Sequence, residues 1–413
     1  MSVVFEVPSS KSISQRALIA AALADGSSEI YGLSRCDDTQ AVIEAVRQLG
    51  AWVDDSGDPV LVRGTSGIPA LGENTGTLPF GPIDCGESAA ALRLLLPLFA
   101  QTGRRCLFTG KGRLMRRPND VYEDIYNGDG RSFRQDSAYI AVEGRLGPGK
   151  YTLRGDISSQ FVSGLLFLLP LLDGDSEIVL STPLQSAPYV ELTLKTLELT
   201  GVKTEFIREG SAPESGGRIT GIHVPGKQRY TPFRTTVEAD WSSAAPLLAA
   251  AKLLGKDAQV KGLDNRSLQA DRAIAKLLDG FGEPGHFKAI EADISDCPDL
   301  GPLLFALATQ AEGTSVFRGT GRLRFKESDR VANMERELKN LGCVIGSDED
   351  SVTVTGPTAV KGGVSASGCG DHRIVMALAV LALTAKEPVT VEGADAVSKS
   401  FPGFFTQLGK LRN

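Results

Sequence analysis

The chain has 413 residues, 42% hydrophobic and 23% charged, which suits a soluble globular protein and is too long for one compact core, so two domains are expected. A formal net charge of −6 argues against a broad nucleic-acid surface, so no nucleic-acid partner is expected and any anion must be met by cations gathered locally. Residues 3–7 form a short strand-like run without the charged start and long apolar core of a signal peptide, and the longest apolar stretch, 164–172, is too short to span a bilayer; the expectation is a cytoplasmic protein with no membrane partner.

Taken in chain order, six segments repeat one pattern: 12–32, 87–110, 158–180, 240–262, 299–319 and 371–393. Each has a polar start, an Ala/Leu-rich helical run, a Gly or Asp break and a short β-like run. Runs such as SGLLFLLPLL and DLGPLLFALA are apolar on nearly all sides, which predicts buried helices. A second, amphipathic helix follows each, beginning near Asp37, Arg117, Pro188, Ala270, Ser328 and Ser398, and most end at a Gly. Several of these lead into hairpins, as in WVDDSGDPVLVRG and VIGSDEDSVTVTG. The unit reads strand, buried helix, strand, outer helix, strand, strand, and six units fit two domains of three. A continuous solenoid is the other reading, but the insertions at 127–149 and 209–234 and the irregular spacing favour closed domains. The Gly/Pro/Ser-rich stretch 209–233 is the candidate path near a domain boundary.

Six cysteines (Cys36, Cys85, Cys106, Cys297, Cys343, Cys369) include no CxxC pair, so reduced thiols are expected. His223, His286 and His372 show no metal-ligand spacing. No metal and no organic cofactor are expected.

Reactive side chains gather at the repeat starts, where unpaired helix N–H groups favour anions. The first repeat offers Lys11, Ser12 and Arg16; the second offers Arg93, with Arg113, Arg116 and Arg117 ahead of its outer helix; the third offers Ser158, Ser159 and Gln160. The fifth offers Asp299, then Lys326, Glu327, Asp329 and Arg330; the sixth offers Asp371, His372 and Arg373, then Lys399. A lone Ser or Asp at such a place is ordinarily a cap, and a lone Arg or Lys a solvated charge. Cations at the heads of all-round hydrophobic helices are another matter, because an unpaired charge there is costly. Together they imply a ligand carrying several negative charges.

The motifs PSSKSISQRAL, GRLMRRP, GDISSQF, EADWSSAA, PDL, RFKESDR, GDHR and SKSFPGF, in this order from Pro8 to about Leu408, resemble those of the 5-enolpyruvylshikimate-3-phosphate synthase family. The resemblance implies an α/β fold of two domains, each of three βαβαββ repeats around buried parallel helices (an inside-out α/β barrel), with 1–9 plus 238–413 as a discontinuous domain, 10–237 inserted, and the active site in the cleft between them. It implies transfer of the enolpyruvyl group of phosphoenolpyruvate to the 5-hydroxyl of shikimate 3-phosphate through a tetrahedral addition–elimination intermediate, by a monomer. By motif, the phosphoenolpyruvate site resembles Lys11, Arg117, Gln160, Arg330, Arg373, Lys399 and Ala89. The shikimate 3-phosphate site resembles Lys11, Ser12, Arg16, Ser158, Ser159, Gln160, Ser186, Tyr189, Asp299 and Lys326. Asp299 is then the base toward the hydroxyl, Glu327 the acid and base at C3, and Lys11 lies close to the transferred groups.

Two places depart from the family pattern. Glu87, Ser88, Ala89 and Ala90 stand where the family usually has Asn-Ser/Ala-Gly-Thr, and Arg322 stands where some relatives place Asn. Glu87 beside a phosphate pocket calls for a cation partner. Ala89 replaces a pocket Gly, so the inhibitor glyphosate, which occupies that pocket in many members, is expected to bind poorly here. The related UDP-N-acetylglucosamine enolpyruvyl transferases differ in having Lys-Asn where this chain has Lys11-Ser12, and a reactive loop Cys that GRLMRRP lacks. Cys106 falls in a β-like run and reads as a core thiol.

Overall fold

The structure, a computed structural model, describes residues 2–69, 81–128, 130–209 and 218–412. Contacts divide the chain into two compact units, 11–237 and 1–10 with 238–413.

Among the described residues, unit 11–237 has six α-helices: α1 (Lys11–Leu23), α2 (Asp37–Leu49), α3 (Ala89–Ala100), α4 (Asp120–Tyr126), α5 (Ser159–Leu168) and α6 (Ala187–Leu199). The odd-numbered three are apolar nearly all round and are buried accordingly. α1 is buried from Ser14 to Leu23, α3 everywhere but Ala90, and α5 everywhere but Gln160. The even-numbered ones close over them, and α2 stops at Gly50, whose φ of +113° lets its N–H bond Arg47 O at 3.0 Å.

Three four-stranded sheets surround this helical centre with one shared pairing. In each, a first strand runs parallel to a second, which pairs antiparallel with the far arm of a hairpin. The first sheet is Arg234–Thr236, Ser27–Tyr31, Val60–Arg63 and Trp52–Asp54. The second is Ile83–Asp84, Cys106–Thr109, Tyr139–Glu143 and Ser132–Gln135. The third is Lys150–Leu153, Ser176–Leu180, Arg218–Val224 and Glu205–Glu209. Alternation sets the inner face: Val60 and Val62 are buried while Leu61 and Arg63 face out. Arg218–Val224 changes the reading of 209–233, because RITGIHV alternates well enough to be a paired strand inside the unit. Residues 210–217 of that stretch, and 129 of the 127–149 insertion, lie outside the described residues.

The other unit holds α7 (Trp241–Leu253), α8 (Ile274–Phe281), α9 (Gly301–Ala308), α10 (Arg330–Asn340), α11 (His372–Leu381) and α12 (Phe404–Gly409). α9 and α11 are buried at every position. Only the middle repeat has the full sheet: Glu291–Asp293, Gly313–Arg318, Ser351–Gly356 and Val344–Ser347. The flanking repeats have parallel pairs alone, Val3–Phe5 with Ala258–Val260 and Ser365–Ser367 with Thr390–Glu392. The βαβαββ pattern is thus complete in four repeats and abbreviated in two, and none of the six sheets described closes on itself. The helix expected from Ser398 begins only at Phe404, after a 3-10 turn over Ala394–Lys399. Pro402 has no N–H to donate and disfavours helical backbone at the residue before it, which breaks the run.

The chain's two crossings at 10/11 and 237/238 lie side by side in this unit. Ser9 bridges Ala239, the Ser10 N–H donates to Glu238 O at 2.8 Å, and the Asp240 N–H donates to Pro8 O at 2.9 Å. All six cysteines are free thiols, five of them buried. Cys106 opens a strand as a core thiol, and burial pushes its pKa up to about 11. No helix among the described residues is long and apolar enough to cross a membrane.

Candidate active site

The sequence-predicted residues fall into two sets, one on each unit. In unit 11–237 the heads of α1, α5 and α6 carry the first. Arg16, one turn into α1, is 2% exposed yet has no carboxylate among its hydrogen-bond partners within the described residues. Its Nε donates to Thr193 Oγ1 at 2.8 Å, and its two amines to Ser12 O at 2.8 Å and Tyr189 O at 3.0 Å. Thr193 Oγ1 in turn donates to Ser163 Oγ at 2.7 Å, which ties α6 to α5. Burial pulls the Arg16 pKa down to about 10, still well above neutrality, so the group stays cationic. Ser158 caps α5 by accepting from the Gln160 N–H at 3.3 Å. Ser186 occupies the N-cap position of α6 with a φ of +56° and is buried. Lys11 donates to Asp38 Oδ2 at 2.8 Å.

A second network holds the loop of GRLMRRP. Arg93 lies over the Phe161 ring at 4.5 Å, donating to Asn119 Oδ1 at 3.1 Å, Gln160 Oε1 at 3.0 Å and Pro118 O at 2.6 Å. Asn119 and Gln135 both donate to Arg117 O, at 2.9 and 2.8 Å, and Gln135 also to Met115 O at 2.8 Å. The buried Arg117 is thereby fixed at its backbone. Glu87 turns toward this loop: a Cβ on Gly112, at φ +59°, would collide with Glu87 Oε1. Ala89 opens α3 and is 5% exposed, behind a Ser88 cap that accepts from Ala91 N–H and from Gln15 Nε2, each at 3.2 Å.

The other unit carries the second set, built around Arg330 at 1% exposure. Its Nε donates to Asp371 Oδ2 at 2.8 Å, one amine to Asp299 Oδ1 at 2.8 Å, and the other to Glu327 Oε2 at 2.7 Å and Asp371 Oδ1 at 3.2 Å. Lys326 Nζ reaches Asp299 Oδ1 at 3.1 Å, and Arg373 lies 3.7 Å from Asp299 Oδ2. Burial acts to raise the Asp299 pKa, but Lys326, Arg330 and Arg373 outweigh it and hold the group well below the usual carboxylate range. Burial lowers the Lys326 pKa, opposed by Asp299. Arg373 donates to Ser242 O at 2.8 Å, while its buried Nε has no hydrogen-bond partner. Lys399 ends the 3-10 turn that packs on α11, and is buried.

Asp38, Asn119, Gln135, Ser242 and Asp271 were not singled out by sequence. Asp38 and Asp271 read as polar residues at helix starts, while Gln135 acts through backbone oxygens, and Asn119 accepts from an arginine, that are distant in sequence, which no local spacing encodes. A Lys-bearing helix head followed by paired acids (Asp37, Asp38) was the one available signal.

A model of the family described as EPSP synthase (3-phosphoshikimate 1-carboxyvinyltransferase) matches residues 2–408. A 3-phosphoshikimate 1-carboxyvinyltransferase of Clostridium kluyveri is 36% identical over 420 aligned positions, covering 98% of this chain and 94% of that protein. One of Methanocorpusculum labreanum is 36% identical over 419, with the same coverage of 98% and 94%. Among solved structures, EPSP synthase of Acinetobacter baumannii matches with a TM-score of 0.77 at 22% identity, over 99% of this chain and 95% of that one. The enolpyruvyl transferase NikO of Streptomyces tendae matches with 0.75 at 19% identity, over 100% and 94%. At these identities the two structures speak to the fold.

Proposed function

Because this chain belongs to the EPSP synthase family, we infer that it transfers the enolpyruvyl group of phosphoenolpyruvate to the 5-hydroxyl of shikimate 3-phosphate, releasing phosphate. The observation that carries the residue assignment is the Arg330 hub, where one buried guanidinium joins Asp299 and Glu327, the two groups the proton steps require. Transfer needs both residue sets on one pair of substrates, so in this reading each unit is a domain supplying half of one active site.

Shikimate 3-phosphate is assigned to Lys11, Ser12, Arg16, Ser158, Ser159, Gln160, Ser186 and Tyr189, with Asp299 and Lys326 toward its reacting hydroxyl. Arg16 supports this, since a buried cation held only by neutral oxygens suits a phosphate. Phosphoenolpyruvate is assigned to Lys11, Arg117, Gln160, Arg330, Arg373 and Lys399, with Ala89 against it; the partnerless Nε of Arg373 supports a carboxylate there. Asp299, ionised, accepts the proton of the 5-hydroxyl as the oxygen bonds to C2. Glu327 delivers a proton to C3 and takes one back as phosphate leaves, while Asp299 passes the hydroxyl proton on to the departing phosphate, so both acids return to their starting states and atoms and charge balance over addition and elimination. The donor's anionic groups compete for Arg330, which loosens its hold on Glu327 and frees that carboxyl to carry a proton. A monomer in the cytoplasm is the expected setting. The test is phosphate release on mixing the protein with both substrates; release with either one omitted, or none with both, rejects the reading.

A further inference from the structure

Behind the Arg330 hub lies an acid that the reaction above does not use. Asp271, in the 3-10 turn Ala270–Ala273 ahead of α8, is 1% exposed. Its Oδ2 accepts from Ser242 Oγ, while its Oδ1 is buried with no hydrogen-bond partner among the described residues. The same Ser242 presents its backbone O to Arg373. Three elements face the acid: the head of α7 with Asp240 and Ser242, the turn before α9 with Cys297 and Asp299, and α11 with Arg373. Burial raises the Asp271 pKa to about 6, reinforced by Asp299 and opposed by Arg373 and the Ser242 hydroxyl.

The charge that holds this acid ionised is itself shared. Arg373 is the cation that opposes burial at Asp271, and it also faces Asp299 and Asp240. An anionic donor that draws on Arg373 weakens that opposition and favours the protonated acid. The acid least able to stay ionised is the one whose oxygen has no partner.

We propose that Asp271 is a positioning residue for the enolpyruvyl donor: it backs Arg373 through Ser242 and takes up one solvent proton, on Oδ1, when the donor's anionic groups draw on Arg373. The proposal rests on the assignment of Arg373 to phosphoenolpyruvate. Above the acid's titration the donor must then bring a proton with it, and its apparent affinity falls by up to about tenfold per pH unit.

The test is the KM for phosphoenolpyruvate, read by phosphate release at saturating shikimate 3-phosphate from pH 5.5 to 8.5, for wild type, D271N and S242A. The donor's own phosphate titrates alike for all three, so only differences between variants are read. Asn cannot ionise, so D271N loses the added rise of KM with pH. S242A removes a hydrogen bond that favours the ionised form and moves the rise to higher pH. A D271N profile parallel to wild type, or an S242A profile unshifted or shifted down, overturns the proposal. If D271N does not fold, the direction of the S242A shift decides alone. A wild type that turns over normally while the variants fail these expectations sinks only the role of Asp271; a wild type that releases no phosphate at any pH sinks the functional reading, and this proposal with it.

Discussion

Arg16 and Arg330 are almost equally buried, at 2% and 1% exposure, and they are supported in opposite ways. Arg16 rests on a hydroxyl and two backbone carbonyls, whereas Arg330 sits among Asp371, Asp299 and Glu327. Burial lowers both pKa values, but in Arg330 the three carboxylates reverse the effect and raise it well above the ordinary value. A buried charge without a counterion is unfavourable until one arrives. Unit 11–237 therefore offers a buried cation that an arriving anion can meet as it stands, whereas an anion drawn to Arg330 must compete with ion pairs already made. In the proposed reading, the first is a receptor and the second a set of proton-handling groups held in check.

The largest expected effect tests the second half. Arg330→Met leaves Asp371, Asp299 and Glu327 against one another without their shared cation. Breaking a buried ion pair from one side costs ~3–5 kcal/mol, which denaturant unfolding will read as an early transition, together with loss of phosphate release. A variant as stable as wild type breaks the comparison. Next, Asp299→Ala or Glu327→Ala should lower kcat by roughly 10²–10⁴-fold, the usual reach of general acid–base catalysis, while shikimate 3-phosphate binding by calorimetry changes far less. Near-normal turnover in both removes them from the proton steps.

Arg16→Met sharpens the receptor side. It removes no ion pair, so stability should fall much less than in Arg330→Met. Shikimate 3-phosphate affinity should drop by roughly 10- to 150-fold, the worth of about 1.5–3 kcal/mol for hydrogen bonds to a charged group. Equal stability losses in the two arginine variants would erase the distinction. The smallest effect concerns Ala89. Overpacking a tight site costs ~1–3 kcal/mol, roughly 5- to 150-fold in binding. Since Ala89 is itself largely buried within its own unit, Ala89→Gly should gain glyphosate sensitivity toward the low end of that range. Strong inhibition of the wild type, or no gain in the Gly variant, removes the steric argument.

Much of this was legible in the sequence because the informative residues obey local rules. Helices apolar on every side, such as α9 and α11, can only be buried, and hairpins such as 52–63 announce themselves by β-branched runs about a turn. Motif residues at helix heads were legible for the same reason, since position within an element fixes where a side chain emerges. The expected outer helix from Ser398 gave way to Pro402, a local signal outweighed by the apolar run around it. The hairpins absent from the fourth and sixth repeats were extrapolated from neighbours rather than read from residues. What stayed illegible is tertiary: Arg93 gripping Asn119, Gln160 and Pro118 O, or Asp271 reaching Ser242, depends on chain segments whose separation carries no period.

The crossings at 10/11 and 237/238 have a consequence for how the molecule can be taken apart. Ser10 N–H and Glu238 O are already hydrogen-bonded at 2.8 Å, and Ser9 bridges Ala239, so the whole of 11–237 enters and leaves its host through one doorway. A guest inserted at adjacent ends leaves almost no gap to span when it is removed. Joining Ser10 to Glu238 through a short Gly/Ser turn should give a continuous host chain that keeps the Val3–Phe5 strand on Ala258–Val260, and the excised guest begins and ends at a common point that a similar short loop can seal.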